Sequence, residues 1–113
     1  MSVTIYHNPR CSKSRATLEL LQKRGIKPVV IEYLKTPPTA AELRRLLDRL
    51  DLSAKELIRT NEEEYKVIKD LDLDEDGLIA AMVRYPKLIQ RPIVVANNRA
   101  ALGRPPENVL KIL

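Results

Sequence analysis

Val3-Thr4-Ile5-Tyr6-His7-Asn8-Pro9-Arg10-Cys11-Ser12-Lys13-Ser14-Arg15 holds the transition on which the fold turns. Val3 to Tyr6 alternates and is rich in β-formers, and it runs into the turn signal Asn8-Pro9, so a strand ends there. From Ser12 to Arg24 the period becomes helical. Ala16, Leu20 and Leu21 fall near one face, Glu19 and Lys23 form an i,i+4 pair, and Gly25 is a stop signal. Cys11 therefore stands at a strand-to-helix junction. Val29 to Tyr33 reads as a second strand, expected to be buried on both faces, and so short a strand-helix-strand unit implies a parallel, right-handed crossover.

Beyond Lys35-Thr36-Pro37-Pro38 the texture is helical. A capping box, Thr39-x-x-Glu42, opens an apolar stripe of Leu43, Leu46, Leu47 and Leu50, and a second box, Ser53-x-x-Glu56, starts a short helix through Leu57 and Ile58. Tyr65, Ile68 and Leu71 suggest another helix, and Leu78, Ile79, Met82 and Val83 one more that stops before Pro86. Residues 39–85 thus form a helical insert. Strand character returns at Ile93 to Ala96 and Arg99 to Leu102 around the hairpin signal Asn97-Asn98, and Pro105-Pro106 opens a terminal helix carrying Val109, Leu110 and Ile112. The order βα, β, helices, ββα is that of an α/β fold with a mixed four-stranded sheet and the insert between the second and third strands. With no repeat, linker or low-complexity tract, residues 1–113 are expected to form a single domain.

Composition narrows the function. A chain of 113 residues has room for one core, and 44% hydrophobic with 31% charged residues is an ordinary globular balance. The longest apolar runs, such as Ile93-Val94-Val95-Ala96, fall far below the roughly 20 residues of a membrane span, so no membrane partner is expected. The N-terminus shows no basic start, apolar core and cleavage site of a secretory signal, which leads to an expectation of a cytoplasmic protein. One cysteine excludes an internal disulfide. A net charge of +5 favours anionic partners. Nucleic acid is not expected among them, because the basic residues are interspersed with acids and the aromatics are only four Tyr.

The junction cysteine has unpaired helical N–H groups and the positive end of a helix dipole directed at it. Such an environment, with cations nearby, lowers a thiol pKa from about 8.5 to roughly 3.5–7.5, and Arg10, Lys13, Arg15 and His7 are candidates to supply the charge. Cysteine is often a small buried hydrophobe, but here the flanking residues are polar and a reactive thiolate is the better reading. Cys11-x-x-Ser14 has redox spacing with oxygen in place of the second sulfur, so Ser14 can hydrogen-bond a thiolate but cannot resolve an adduct as a disulfide. A Cys-x5-Arg phosphatase loop is absent, since Thr17 stands where the arginine belongs. Arginines for an anion must come from elsewhere, and Arg59, Arg91 and Arg104 are the candidates. Arg91-Pro92 is the most suggestive, because a proline ahead of a central strand gives up a ladder hydrogen bond and its peptide bond can be cis. His7 has two readings, a residue that merely closes the first strand or a proton donor and pKa tuner for Cys11. One Cys and one His are too few soft ligands for a zinc site, so no metal is expected.

His7-Asn8-Pro9-Arg10-Cys11-x-x-Ser14-Arg15, the Tyr33-Leu34-x-Thr36-Pro37-Pro38 turn, Arg59, and Arg91-Pro92-Ile93-Val94-Val95 through Gly103-Arg104-Pro105 together resemble the glutaredoxin-dependent arsenate reductase (ArsC-type) family. The resemblance covers essentially the whole chain. It implies a thioredoxin-like fold, in which a cis proline at the position of Pro92 faces the active-site cysteine. It also implies Cys11 as nucleophile, Arg59, Arg91 and Arg104 as oxyanion-binding arginines, and His7 and Ser14 as thiolate tuners. By that resemblance, Cys11 attacks arsenate to give a Cys–S–As(V) adduct, glutathione as co-substrate displaces an oxygen, and glutaredoxin reduces the mixed species with release of arsenite. No bound cofactor is implied. Compared with arsenate reductases of the family, the chain has a different pair, Ser12-Lys13, after the cysteine and ends at Leu113 without a longer C-terminal tail. Two rival functions share the fold. One is an Spx-like RNA polymerase-binding regulator, against which the serine of Cys11-x-x-Ser14 argues, and the other is a thiol oxidoreductase acting on another substrate.

Overall fold

The computed structural model describes residues 2–113. Its elements follow the expected order: β1 (Thr4–His7), α1 (Ser12–Lys23), β2 (Val29–Glu32), α2 (Ala40–Leu50), α3 (Ala54–Leu57), α4 (Tyr65–Ile68), α5 (Glu75–Arg84), β3 (Ile93–Ala96) and β4 (Arg99–Leu102), with 3-10 turns at Pro86–Leu88 and Pro106–Ile112. The chain divides into two compact units, a sheet unit that runs up to Thr36 and resumes over Arg91–Leu113, and a helical unit, Pro37–Gln90.

In the sheet unit the four strands lie in the order β2-β1-β3-β4. β1 pairs with β2 in parallel, as the short crossover through α1 requires, and with β3 antiparallel. The β3–β4 hairpin turns on Asn97 and Asn98, both left-handed at φ 55° and 60°, a conformation asparagine tolerates and two-residue hairpins need. Period two sends Val3, Ile5 and His7 to one face of β1. Val3 and Ile5 join Leu21 of α1, Val94, Ala96, Ala101 and the terminal Val109 and Ile112 in a single core cluster.

Three local expectations are corrected. β2 is an edge strand, with Val29 and Val30 58% and 45% exposed, so it is not buried on both faces. The buried face of α1 is Ser14, Thr17 and Leu21, while Ala16 is exposed. The C-terminal segment is 3-10 rather than α-helical.

The helical unit is built from the predicted caps. Both capping boxes form, at Thr39/Glu42 and Ser53/Glu56, and each satisfies helix N–H groups that have no intrahelical partner. Leu43, Leu46 and Leu47 of α2 are buried, as are Ile79, Ala81 and Met82 of α5, and the two helices pack together. Leu57–Gln90 and Arg59–Leu88 backbone hydrogen bonds, 3.1 and 2.7 Å, flank a small antiparallel bridge between Ile58 and Ile89. No helix among the described residues is long and apolar enough to cross a membrane.

Candidate active site

Sheet register assembles one end of the sheet unit. β1 runs out at His7 beside the start of β3, where Tyr6 faces Ile93, so Arg91 and Pro92 arrive next to the turn that carries Cys11. In the next pair Ile93 faces Leu102, which places Gly103 and Arg104 opposite Pro92 and Arg91. On the other flank, His7 faces Glu32 at the end of β2.

Cys11 is the N-cap of α1, half-buried, with extended backbone. Its N–H donates to Asn8 O at 3.0 Å and its carbonyl accepts from Arg15 N–H at 3.0 Å, so the residue is held by backbone on both sides. The first turn of α1 contains no acidic side chain, which leaves an ionised Cys11 as the anion that complements the helix N-terminus. Burial of the sulfur opposes ionisation, but hydrogen bonds from the Ser14 N–H, the Arg91 side chain and the Lys13 N–H, together with the charge of Arg91, outweigh it and hold the thiol below its ordinary value. The neighbouring cations contribute differently from the expectation. Lys13 acts through its backbone, Arg15 is engaged with Pro9 O at 2.9 Å, Arg10 is exposed, and the guanidinium at the sulfur is Arg91.

His7 lies on the α1 face of β1 and is buried there, its Nδ1 2.6 Å from Ser14 Oγ. The same hydroxyl accepts from the Asn8 N–H at 3.0 Å. Burial lowers the His7 pKa, Glu32 opposes that by raising it and Arg15 adds to the lowering, so the neutral ring is favoured over an imidazolium. Ser14 reaches Cys11 through its backbone N–H, while its hydroxyl, expected at the thiolate, closes the His7–Asn8 network instead. The buried Ser14 hydroxyl thus ties His7 to the Asn8 backbone and fixes the loop that leads to the sulfur.

Arg91 and Arg104 are also brought together. Arg104 Nε donates to Arg91 O at 2.9 Å, and the peptide bonds Arg91-Pro92 and Arg104-Pro105 are both cis. Gly103 is the hidden part of this arrangement. Its N–H donates to Pro92 O at 2.9 Å, and a Cβ at Gly103 would collide with Thr17 Oγ1 and lie 2.6 Å from Pro92 Cγ. Only glycine lets the Arg91-Pro92 segment approach α1 this closely, and Thr17, whose hydroxyl donates to Lys13 O at 2.8 Å, is the surface it meets. No local sequence signal marked Gly103 or Thr17. Arg59 belongs to the helical unit, where its Nε pairs with Glu62 Oε1 at 3.2 Å and both side chains are largely buried. The i,i+3 spacing of Arg59 and Glu62 is the one sequence feature that anticipates that pair.

A nucleophilic sulfur between N–H donors and a guanidinium is equipped to attack an electrophilic centre carried by an oxyanion. Residues 6–112 match the model of the ArsC family. The chain is 57% identical to an uncharacterised protein of Escherichia coli, YfgD, over 98% of this chain and 96% of that one. It is 46% identical to an arsenate reductase of Neisseria meningitidis over 98% and 97% of the two chains. Among solved structures, an arsenate reductase from Vibrio cholerae superposes with a TM-score of 0.96 at 55% identity, covering 100% of this chain and 98% of the other. The fold is therefore thioredoxin-like, with the helical insert where the sequence indicated.

Proposed function

This chain belongs to the ArsC family, and from that premise we propose that it is an arsenate reductase acting in the cytoplasm with glutathione and glutaredoxin as its thiol donors. The observation that carries the reading is the Cys11 sulfur, whose ionisation is favoured by the Ser14 and Lys13 N–H groups and by the Arg91 guanidinium. Arg91 supplies a planar, bidentate partner for two oxygens of arsenate, and Arg104 holds the Arg91 backbone while belonging to the same cluster of oxyanion ligands. Arg59 enters by family resemblance, with Glu62 orienting its guanidinium through Nε. His7 and Ser14 act on the loop rather than on the substrate.

The Cys11 thiolate forms a bond to arsenic as one oxygen leaves as water. The chain has one cysteine, so no second protein thiol resolves the adduct. Glutathione displaces a further oxygen at arsenic. A glutaredoxin thiolate then attacks the glutathione sulfur, the bond between that sulfur and arsenic breaks with its electron pair on arsenic, and water hydrolyses the remaining Cys11–S–As(III) bond, so that arsenite and the Cys11 thiolate are freed with a glutathione–glutaredoxin mixed disulfide as the oxidised product. Arsenate alone should give at most one equivalent of adduct by mass spectrometry, and glutathione with glutaredoxin should restore repeated turnover. Multiple turnovers with no added thiol would show the cycle to be wrong.

A further inference from the structure

Arg91 occupies one flank of β1. On the opposite flank a pocket of about 170 Å³ lies between the Asn8-Pro9-Arg10 turn and the end of β2, where Glu32, Leu34 and Lys35 complete it. This pocket shares a wall with the sulfur, because the carbonyl of Asn8 accepts the N–H of Cys11. That wall is stiffened from both sides, by Arg10 N–H on Asn8 Oδ1 at 3.0 Å and by Arg15 on Pro9 O at 2.9 Å.

The lining carries both signs of charge. Arg10 and Lys35 are cationic, Glu32 is anionic, and burial disfavours the charged form of His7. An inorganic oxyanion would pair with Arg10 and Lys35 but be opposed by the Glu32 carboxylate. A group with an ammonium and a carboxylate on adjacent atoms meets complementary charge at both ends, and Pro9 and Leu34 offer apolar contact to methylenes between such a head and the rest of a ligand. At present Glu32 and Lys35 pair with each other at 3.6 Å. An exposed pair of this kind contributes little, so a zwitterion exchanges it readily.

We propose that this pocket receives the α-amino-acid head of the thiol co-substrate, the γ-glutamyl end of glutathione, with its ammonium on Glu32 and its carboxylate on Lys35 and Arg10. The assignment rests on the thiol dependence proposed above and adds to it a place on the protein. It also separates the two reactants, with the oxyanion on the Arg91 flank and the thiol arriving over the Pro9–Arg10 turn.

S-methylglutathione, which keeps the head and cannot react, tests the site by calorimetric titration of the whole chain. Saturable binding is expected, with Glu32→Gln and Lys35→Gln each weakening it about tenfold through loss of one charge-assisted contact. The N-acetylated probe should bind the native protein about tenfold more weakly and lose nothing further on Glu32→Gln, since the partner of that carboxylate is already gone. Lys35 is exposed on a turn, so its variant remains informative if Glu32→Gln does not fold. Native turnover with glutathione alongside unchanged probe affinity in these variants, or no probe binding at all, overturns the pocket. Probe binding that responds to the variants without any glutathione-supported turnover overturns the thiol dependence and leaves the pocket standing.

Discussion

The sheet unit and the helical unit bury different things. All four buried polar side chains among the described residues, His7, Asn8, Ser14 and Thr17, lie in the sheet unit around the Cys11 turn and the first helix. The fully buried side chains of the helical unit are apolar, among them Leu43, Leu46, Leu47, Leu57, Ile79, Met82 and Leu88, and its polar contacts are helix caps together with the less deeply buried Arg59–Glu62 pair. Burying a polar group is unfavourable unless its hydrogen bonds are replaced. Where a protein does it repeatedly in one place, the gain is a fixed geometry, and here the fixed object is the sulfur. The two units treat their arginines in the same contrasting way. Arg91 reaches the thiol, whereas Arg59 is held by a carboxylate three residues along its own chain.

The contrast is broken most forcefully at Arg91. Arg91→Lys keeps the charge and loses the planar fork, so steady-state kcat/KM for arsenate should fall by about 10–100-fold, less than the roughly 100–1,000-fold of removing an oriented transition-state donor outright. A change under threefold would mean that charge alone matters there.

Gly103→Ala probes the same region through packing. Its Cβ has no room between Thr17 and Pro92, and overpacking of this kind costs about 1–3 kcal/mol. Denaturant unfolding should report that loss. The pH dependence of Cys11 alkylation should shift upward in the same variant, because the Arg91-Pro92 segment is pushed away from α1. Destabilisation with an unmoved thiol pKa would reduce Gly103 to a packing residue with no part in positioning Arg91.

A paired experiment sharpens the comparison between units. Ser14→Ala removes the acceptor of the Asn8 N–H and the partner of His7 in a buried site, at a cost of about 1–3 kcal/mol. Thr39→Ala removes the cap of α2 and should cost about 1 kcal/mol. Only the first should change the rate at which Cys11 reacts with an alkylating agent. Equal effects on reactivity would contradict a polar network dedicated to the sulfur.

How much of this was legible in the sequence follows the range of the interactions. Caps, the Asn97-Asn98 hairpin and the strand-to-helix junction are set by residues within a few positions of one another, and all formed as read. Strand order is not local. Val29 and Val30 look like a buried strand because β-branched residues suit any strand, and only the order β2-β1-β3-β4 reveals that theirs is an edge. The cation at Cys11 was misjudged for the same reason. Arg10, Lys13 and Arg15 are close to Cys11 in sequence, yet all three are exposed, and antiparallel pairing of β1 with β3 delivers Arg91 from the far end of the chain. The role of Gly103 depends on a tertiary approach between two segments and left no periodicity to detect.

The central claim is that Cys11 is a thiolate stabilised jointly by backbone N–H groups and by Arg91. Its pKa is depressed in the folded state. Ionised Cys11 therefore stabilises the fold fully above the unfolded thiol value, and that contribution fades as pH falls through the folded value. The direct measurement is the pH dependence of iodoacetamide alkylation in the native protein and in Arg91→Ala. The account predicts a native midpoint below that of an ordinary thiol, and a higher midpoint in the variant that still lies below the ordinary value because the Ser14 and Lys13 N–H groups remain. A native midpoint at or above an ordinary thiol, or one that Arg91→Ala leaves in place, would contradict it.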